Sequence, residues 1–177
     1  MMKYVKNLIA LLVSTCVLSQ EKDTMNLMTY TLGNFVSENA HKIVAENWPF
    51  SVNAVAGDLI DEYIVREIEC NNNQLWESLS ASGLNNPEAT YLEEVRVEEV
   101  NIQKALHLLE ISPEIKVVNK KIREQKRSSW TLLTKISNTE YQFEIFSFKI
   151  SEMEVREKFE IALIVDIRTC EISVVNP

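Results

Sequence analysis

Six cations fall within twelve residues of an otherwise acidic chain: Lys116, Lys120, Lys121, Arg123, Lys126 and Arg127. Lys and Arg at this density build positive potential suited to an anionic ligand, a glycan or an acidic partner. The competing reading is a solvated helix flank whose charges pair with the acidic stretch before it. His41 and His107 are the only side chains whose ordinary pKa suits proton transfer near neutral pH. Neither has a cysteine or second histidine at metal-ligand spacing, so each reads as a surface or core-edge residue. Glu93-Glu94 and Glu98-Glu99 recur five residues apart. That is off the period that stacks side chains on one helical face, and it favours a solvated flank over a cation site. Asp58, Asp61 and Glu62 surround a helix start and fit capping and dipole roles. Trp48, Trp76 and Trp130 read as core or core-edge packing, with a groove lining as the alternative.

The motifs of common chemistries are missing. There is no Gly-x-Ser-x-Gly elbow, no Gly-x-Gly-x-x-Gly, no P-loop, no His-Glu-x-x-His and no calcium loop. With three glycines in 177 residues, no loop can cradle phosphate through several backbone amides. No Asn-x-Ser/Thr sequon occurs, and neither a cofactor nor a metal is expected.

The first nineteen residues carry an address. Lys3 and Lys6 precede an apolar run from Leu8 to Leu18, closed by Ser19 and followed by polar Gln20 to Asp23. This is the layout of a secretory signal peptide, with Val17-Leu18-Ser19 fitting the cleavage site. About a dozen apolar residues fall short of the roughly 20 that a membrane span needs, so no stable anchor is expected after cleavage. Lipidation at Cys16 would want Leu and a small residue where Val13 and Thr15 stand. A buried N-terminal segment of a cytosolic protein fits poorly with the charged start and polar stop.

Cleavage removes Cys16 and leaves Cys70 and Cys170. In an oxidising compartment this pair invites a disulfide, closing a loop worth up to roughly 4.7 kcal/mol by chain-entropy arguments. Two separate thiols are the alternative. Cleavage also takes the net charge from −8 to −10, which disfavours nucleic acid as a partner.

Elements must position these residues. Met28, Leu32, Phe35, Val36, Ala40, Ile43 and Val44 predict a helix from Asp23-Thr24 to about Asn47, ended before Pro49. Phe50 to Ala56 predicts a short strand. Gly57-Asp58 breaks the run and starts a helix through Ile68. Asn71-Asn72-Asn73 either interrupts it or caps the next helix, which stops at Gly83. After the Asn85-Asn86-Pro87 loop, Glu88 to Ile111 reads as a helix with Leu92, Val95, Ile102, Ala105, Leu106 and Leu109 on one side. A short strand near Arg96 competes there. Ser112-Pro113-Glu114 starts a last helix, to about Gln125.

From Trp130 the period changes to two. Trp130, Leu132, Thr134 and Ile136 share one face of a strand, and Asn138-Thr139 makes a turn. Tyr141, Phe143 and Ile145 then face one way and Phe146, Phe148 and Ile150 the other, a switch that needs a bulge or bend. Ser151 to Arg156 reads as a loop. Phe159 to Ile167 and Cys170 to Val174 are the last strands. The closing Val165-Asp166-Ile167-Arg168-Thr169-Cys170-Glu171 resembles the last strands of small secreted α+β modules such as PepSY-like or cystatin-like domains, without the turn glycine expected there.

The pattern predicts an α+β fold with N-terminal helices packed on a C-terminal antiparallel sheet of about four strands. Residues 20–177 read as one domain, mainly helical over 20–127 and mainly strand over 128–177. The expected function is an exported, periplasmic or secreted, non-enzymatic domain binding a protein, peptide or small ligand on the sheet face or in the helix–sheet cleft. A small hydrolase using carboxylate and histidine chemistry is the alternative. A structural accessory protein of the cell envelope, marked by a large exposed apolar patch, is a third reading.

Overall fold

A computed structural model describes residues 25–30, 33–55, 62–151 and 154–175. The signal-peptide reading of residues 1–19, Cys16, Gly57-Asp58 and Asp61 lie outside the described residues.

The first element is a strand, β1 (Met25–Thr29), where helical periodicity predicts a helix. Its alternate residues Leu27 and Thr29 are buried, and it pairs in parallel with β2 (Phe50–Ala54) from Met25↔Phe50 to Thr29↔Ala54. Residue Asn34 makes the true helix start, its side chain accepting from the Ser37 N–H at 3.2 Å. That opens α1 (Phe35–Ala45), the crossover between the two strands. Local spacing over Met28 to Val44 cannot tell that the first five residues find backbone partners 25 positions away.

The asparagine run neither interrupts nor caps. It lies inside one continuous helix, α2 (Glu62–Ala81), and its amides grip β1. The Asn72 side chain accepts from the Met28 N–H at 3.0 Å and donates to the Met28 carbonyl at 2.8 Å, while Asn71 donates to the Asn26 carbonyl at 2.8 Å. A carboxamide presents the same donor and acceptor as a peptide group, so Asn72 stands in for a neighbouring strand. Gly83 at φ +101 ends α2 in the left-handed region, as expected of a C-terminal stop.

The long helix α3 (Pro87–Ile111) is unbroken, so the short strand near Arg96 does not form. Its buried line is Tyr91, Val95, Glu98, Ile102, Ala105 and Leu109; Leu92 is outside, half exposed. Ser112 caps α4 (Pro113–Glu124), accepting from the Ile115 N–H at 3.2 Å, with Pro113 at the first helical position.

The C-terminal half is an open antiparallel meander in the order β3-β4-β5-β6: Ser128–Lys135, Glu140–Ser151, Glu154–Asp166 and Glu171–Val175. With the helices that precede it, this is the α+β arrangement. The strands run on through most of the loop expected over Ser151 to Arg156. Helices α3 and α4 cover one face of the sheet, where Leu133, Tyr141, Phe143, Ile145, Leu163 and Val165 join Ile102, Leu109 and Ile115 in the core.

Two facing assignments differ from the sequence reading. On β3 the core side is Leu133, while Trp130, Leu132 and Ile136 are 38, 45 and 51 % exposed. The apolar parity switch at Phe146 is not a flip of β4, because Ile145 and Ser147 both stay buried. The irregularity sits in the partner strand: Ile145 pairs with Ile161 and Phe146 with Phe159, so Glu160 is the extra residue of a bulge. Phe146 is apolar because the outer face is apolar there.

Cys70 and Cys170 are separate free thiols, both exposed, which corrects the expected disulfide. Cys70 lies in the middle of α2, and Cys170 is held in the β5–β6 turn. There Asp166 accepts from the Arg168 N–H at 2.8 Å, and Cys170 takes φ +61, the left-handed place of the missing turn glycine. A Cβ in that region costs on the order of 1 kcal/mol. Cys170→Gly is expected to stabilise the protein by about that amount, read as a higher urea midpoint with an unchanged slope.

Candidate functional site

The basic cluster divides on folding. Lys121 reaches Glu160 at 2.9 Å, and Arg127 donates to the Ser147 hydroxyl at 2.7 Å and to its carbonyl at 2.9 Å. Lys158 joins at 3.2 Å, and Ser147 itself donates to Glu160 at 2.8 Å. The bulge turns the Glu160 carboxylate to the helix side of the sheet, where its side chain is 1 % exposed. Burial alone would raise its pKa, but the hydrogen bonds from Lys121, Ser147 and Lys158 outweigh it and hold the carboxyl down at about 2. Two of the six cations therefore bind this protein's own sheet. Lys116, Lys120, Arg123 and Lys126 remain on the surface, Lys120 with a loose ion pair to Glu124 at 3.8 Å.

A second polar centre lies where α3 crosses the end of β3. Glu98 is buried, with Lys135 Nζ 2.6 Å from one carboxylate oxygen and the Tyr141 hydroxyl donating to the other at 2.7 Å. Burial first, and Glu98 second, push the Tyr141 phenol well above its ordinary range. The flanking acids have separate roles. Glu93 accepts from Arg96 at 2.7 Å, and Glu94 accepts the Trp48 indole N–H at 2.8 Å. The pattern of glutamate pairs thus contains one structural ion, Glu98, that sequence spacing assigns to a solvated flank. An open groove of about 380 Å³ runs over these residues, with Ile43, Val97 and Asn101 among its walls.

His41 is buried and meets a phenol, not a carboxylate: its Nδ1 stands 2.8 Å from the Tyr91 hydroxyl. Tyr91 is fully buried among Trp48, Phe50 and Trp76, with ring centroids 5.4, 5.2 and 5.8 Å away. Burial lowers the His41 pKa against a smaller opposite pull from Glu99, and burial raises that of Tyr91. His107 is exposed on α3. Among the described residues, the hydrogen-bond partner shown for the His41 ring is the Tyr91 hydroxyl and not a carboxylate. Among the described residues, no three His, Cys, Asp or Glu side chains are grouped to hold a metal, and no helix is long and apolar enough to cross a membrane.

The His41 and Glu160 centres make the fold acid-sensitive. Unfolded His41 titrates near 6.5 and folded His41 lower, so the unfolded chain binds the extra proton first; this contribution is complete above about 6.5 and shrinks as pH falls below it. The Glu160 contribution is complete above about 4.5 and is lost as pH falls toward about 2. The urea midpoint is expected to decline in two stages between pH 7 and pH 2.5, and His41→Gln should flatten the upper one.

The outer face of the sheet is different in kind. Trp130 stacks on Phe146 with centroids 4.4 Å apart and an interplanar angle of 11°, and Phe146 meets Phe159 edge-on at 5.6 Å. Leu132 extends the patch along β3. Cross-strand register brings these rings together, Trp130↔Phe146 on one side and Phe146↔Phe159 across the bulge on the other. Without the bulge, Phe159 would face the helices. No helix among the described residues packs on this face. Trp76 is in the core and Trp48 half-buried, as their reading predicts, whereas Trp130 is the aromatic that sequence reasoning misplaces.

Comparison with family models, with curated proteins and with solved structures finds no match.

Proposed function

We propose that this is an exported, non-enzymatic binding or accessory domain that docks a protein segment on the outer face of its C-terminal sheet. The observation that carries this reading is the exposed Trp130–Phe146–Phe159 stack with Leu132 beside it. Contiguous apolar rings on one face offer a surface on which a partner can bury apolar area. Preorganised aromatics are also the side chains that dominate binding energy at interfaces. Support for export comes from the composition of residues 1–19, with its charged start, apolar run and small closing residue. The four surface cations beside β3 add a polarity that would orient an acidic partner.

The test compares the wild-type protein with a Trp130→Ser/Leu132→Ser variant in pull-downs from the envelope fraction of its own source. Both side chains are on the outer face but more than half covered, so the variant loses buried area as well as the roughly 0.5–1.5 kcal/mol of the stack, and urea unfolding of the variant accompanies the pull-down to establish that it is folded. A protein retained by the wild type and lost by the variant is the expected result. Equal capture by both refutes docking on this face. N-terminal sequencing of exported material should begin near Gln20, and recovery of intact Met1 from cytosol would refute export.

A further inference from the structure

We propose that the free edge of β3 receives an extended peptide strand, antiparallel to β3, apolar at alternate positions and acidic at the end that lies beside Ser128. This rests on the outer-face reading and adds a backbone recognition mode to it.

Strand β3 is the first strand of the open sheet and, among the described residues, pairs with β4 alone. All eight residues from Ser128 to Lys135 stay in one continuous register with β4, without a bulge. The strand, Ser-Ser-Trp-Thr-Leu-Leu-Thr-Lys, contains no proline, glycine or acid. Its one charge, Lys135, sits at the far end and is turned inward to Glu98. Exposed edges are ordinarily blunted by prolines, bulges, outward charges or short length. The opposite edge, β6, is only five residues long and opens on Glu171. On β3 none of these devices interrupts roughly 26 Å of backbone.

Side-chain chemistry favours the same edge. Trp130 and Leu132 stand two residues apart on the outer face, so alternate side chains of an added strand would lie alongside them. The size of the patch selects the occupant. Trp130, Leu132 and Phe159 together expose roughly 250 Å², far below the ~800 Å² per partner of a stable dimer. A single strand matches that footprint, and a second copy of the chain does not. Charge sets the polarity. Lys126 precedes β3 by two residues, and exposed Arg123 lies in the last turn of α4, the end of the helix that leads into Ser128.

The probe is a capped eight-residue peptide of alternating valine and threonine with two aspartates at its C terminus, titrated into the full chain. Expected results are protection of β3 amides from hydrogen exchange and at least tenfold weaker binding when alternate peptide nitrogens on the pairing edge are N-methylated, since several backbone hydrogen bonds are then lost. Methylation of the other edge should change affinity by less than about threefold. Exchanging the two aspartates for lysines should also weaken binding at least tenfold at low salt. Binding abolished by Trp130→Ser/Leu132→Ser but indifferent to N-methylation would overturn edge pairing and leave face docking standing. Binding blocked by N-methylation but indifferent to that variant would support the edge and overturn the face. A concentration-dependent dimer that the peptide fails to dissociate would assign the edge to a second copy and overturn this proposal, as would no binding at all.

Discussion

Lys135→Met is expected to lower folding stability by roughly 3–5 kcal/mol, a large share of the roughly 5–15 kcal/mol typical of a folded domain. Glu98 is 4 % exposed, and Lys135 at 2.6 Å is the only cation paired with it among the described residues. Removing the ammonium leaves a buried carboxylate held, among the described residues, by the Tyr141 hydroxyl at 2.7 Å. The cost is that of an uncompensated charge, not the net worth of the pair, and the double variant Lys135→Met/Glu98→Gln separates the two. It keeps an acceptor for Tyr141 and removes both charges, so it should lie within about 1–2 kcal/mol of the wild type. Urea unfolding of all four proteins in the cycle gives the coupling energy. A single variant as stable as the double would show that the ion pair has no structural role.

Tyr91→Ala should be equally severe, at roughly 3–5 kcal/mol. The side chain is fully buried and touches four aromatic rings: Trp48, Phe50, Trp76 and His41. Its loss opens a cavity at the joint of α1, α2, α3 and β2 and deprives His41 Nδ1 of its partner. Tyr91→Phe isolates the second effect. It keeps the packing, leaves a buried ring nitrogen unsatisfied and should cost about 1–3 kcal/mol. Thermal or urea unfolding orders the series: wild type, then Tyr91→Phe, then Tyr91→Ala. A Tyr91→Phe protein indistinguishable from the wild type would mean that the hydrogen bond to His41 contributes nothing.

The Lys135 pair bears on the outer face indirectly. The Glu98–Lys135 pair anchors the far end of β3, and the Glu160–Ser147–Arg127 cluster anchors its start. The strand that presents Trp130 and Leu132 is thus tied at both ends to the rest of the molecule. A docking edge with its termini fixed loses little conformational entropy on binding, which is the physical meaning of preorganisation.

What the sequence determined by itself is everything carried by near neighbours. The α+β class follows from a change of period at Trp130, and the caps at Ser112 and Gly83 and the turn at Asn138-Thr139 depend on residues within a few positions of one another. The six-cation cluster was equally visible. Tertiary structure alone decided which side of each element is used. The stripe from Met28 onward looks helical until β2 offers β1 a backbone partner. The asparagine run looks like a break until Asn72 meets Met28, 44 residues away. Lys121, Arg127 and Glu98 read as surface charges until their hydrogen-bonding partners arrive from other elements. Trp130 and Leu133 are two apolar parities of one strand, and only the sheet's register and the position of α3 and α4 say which faces the core. A single chain records the preferences of each residue, but not which distant group will satisfy them; a strand with apolar residues on both faces therefore leaves its outward side, and with it the surface proposed for docking, to be settled by packing.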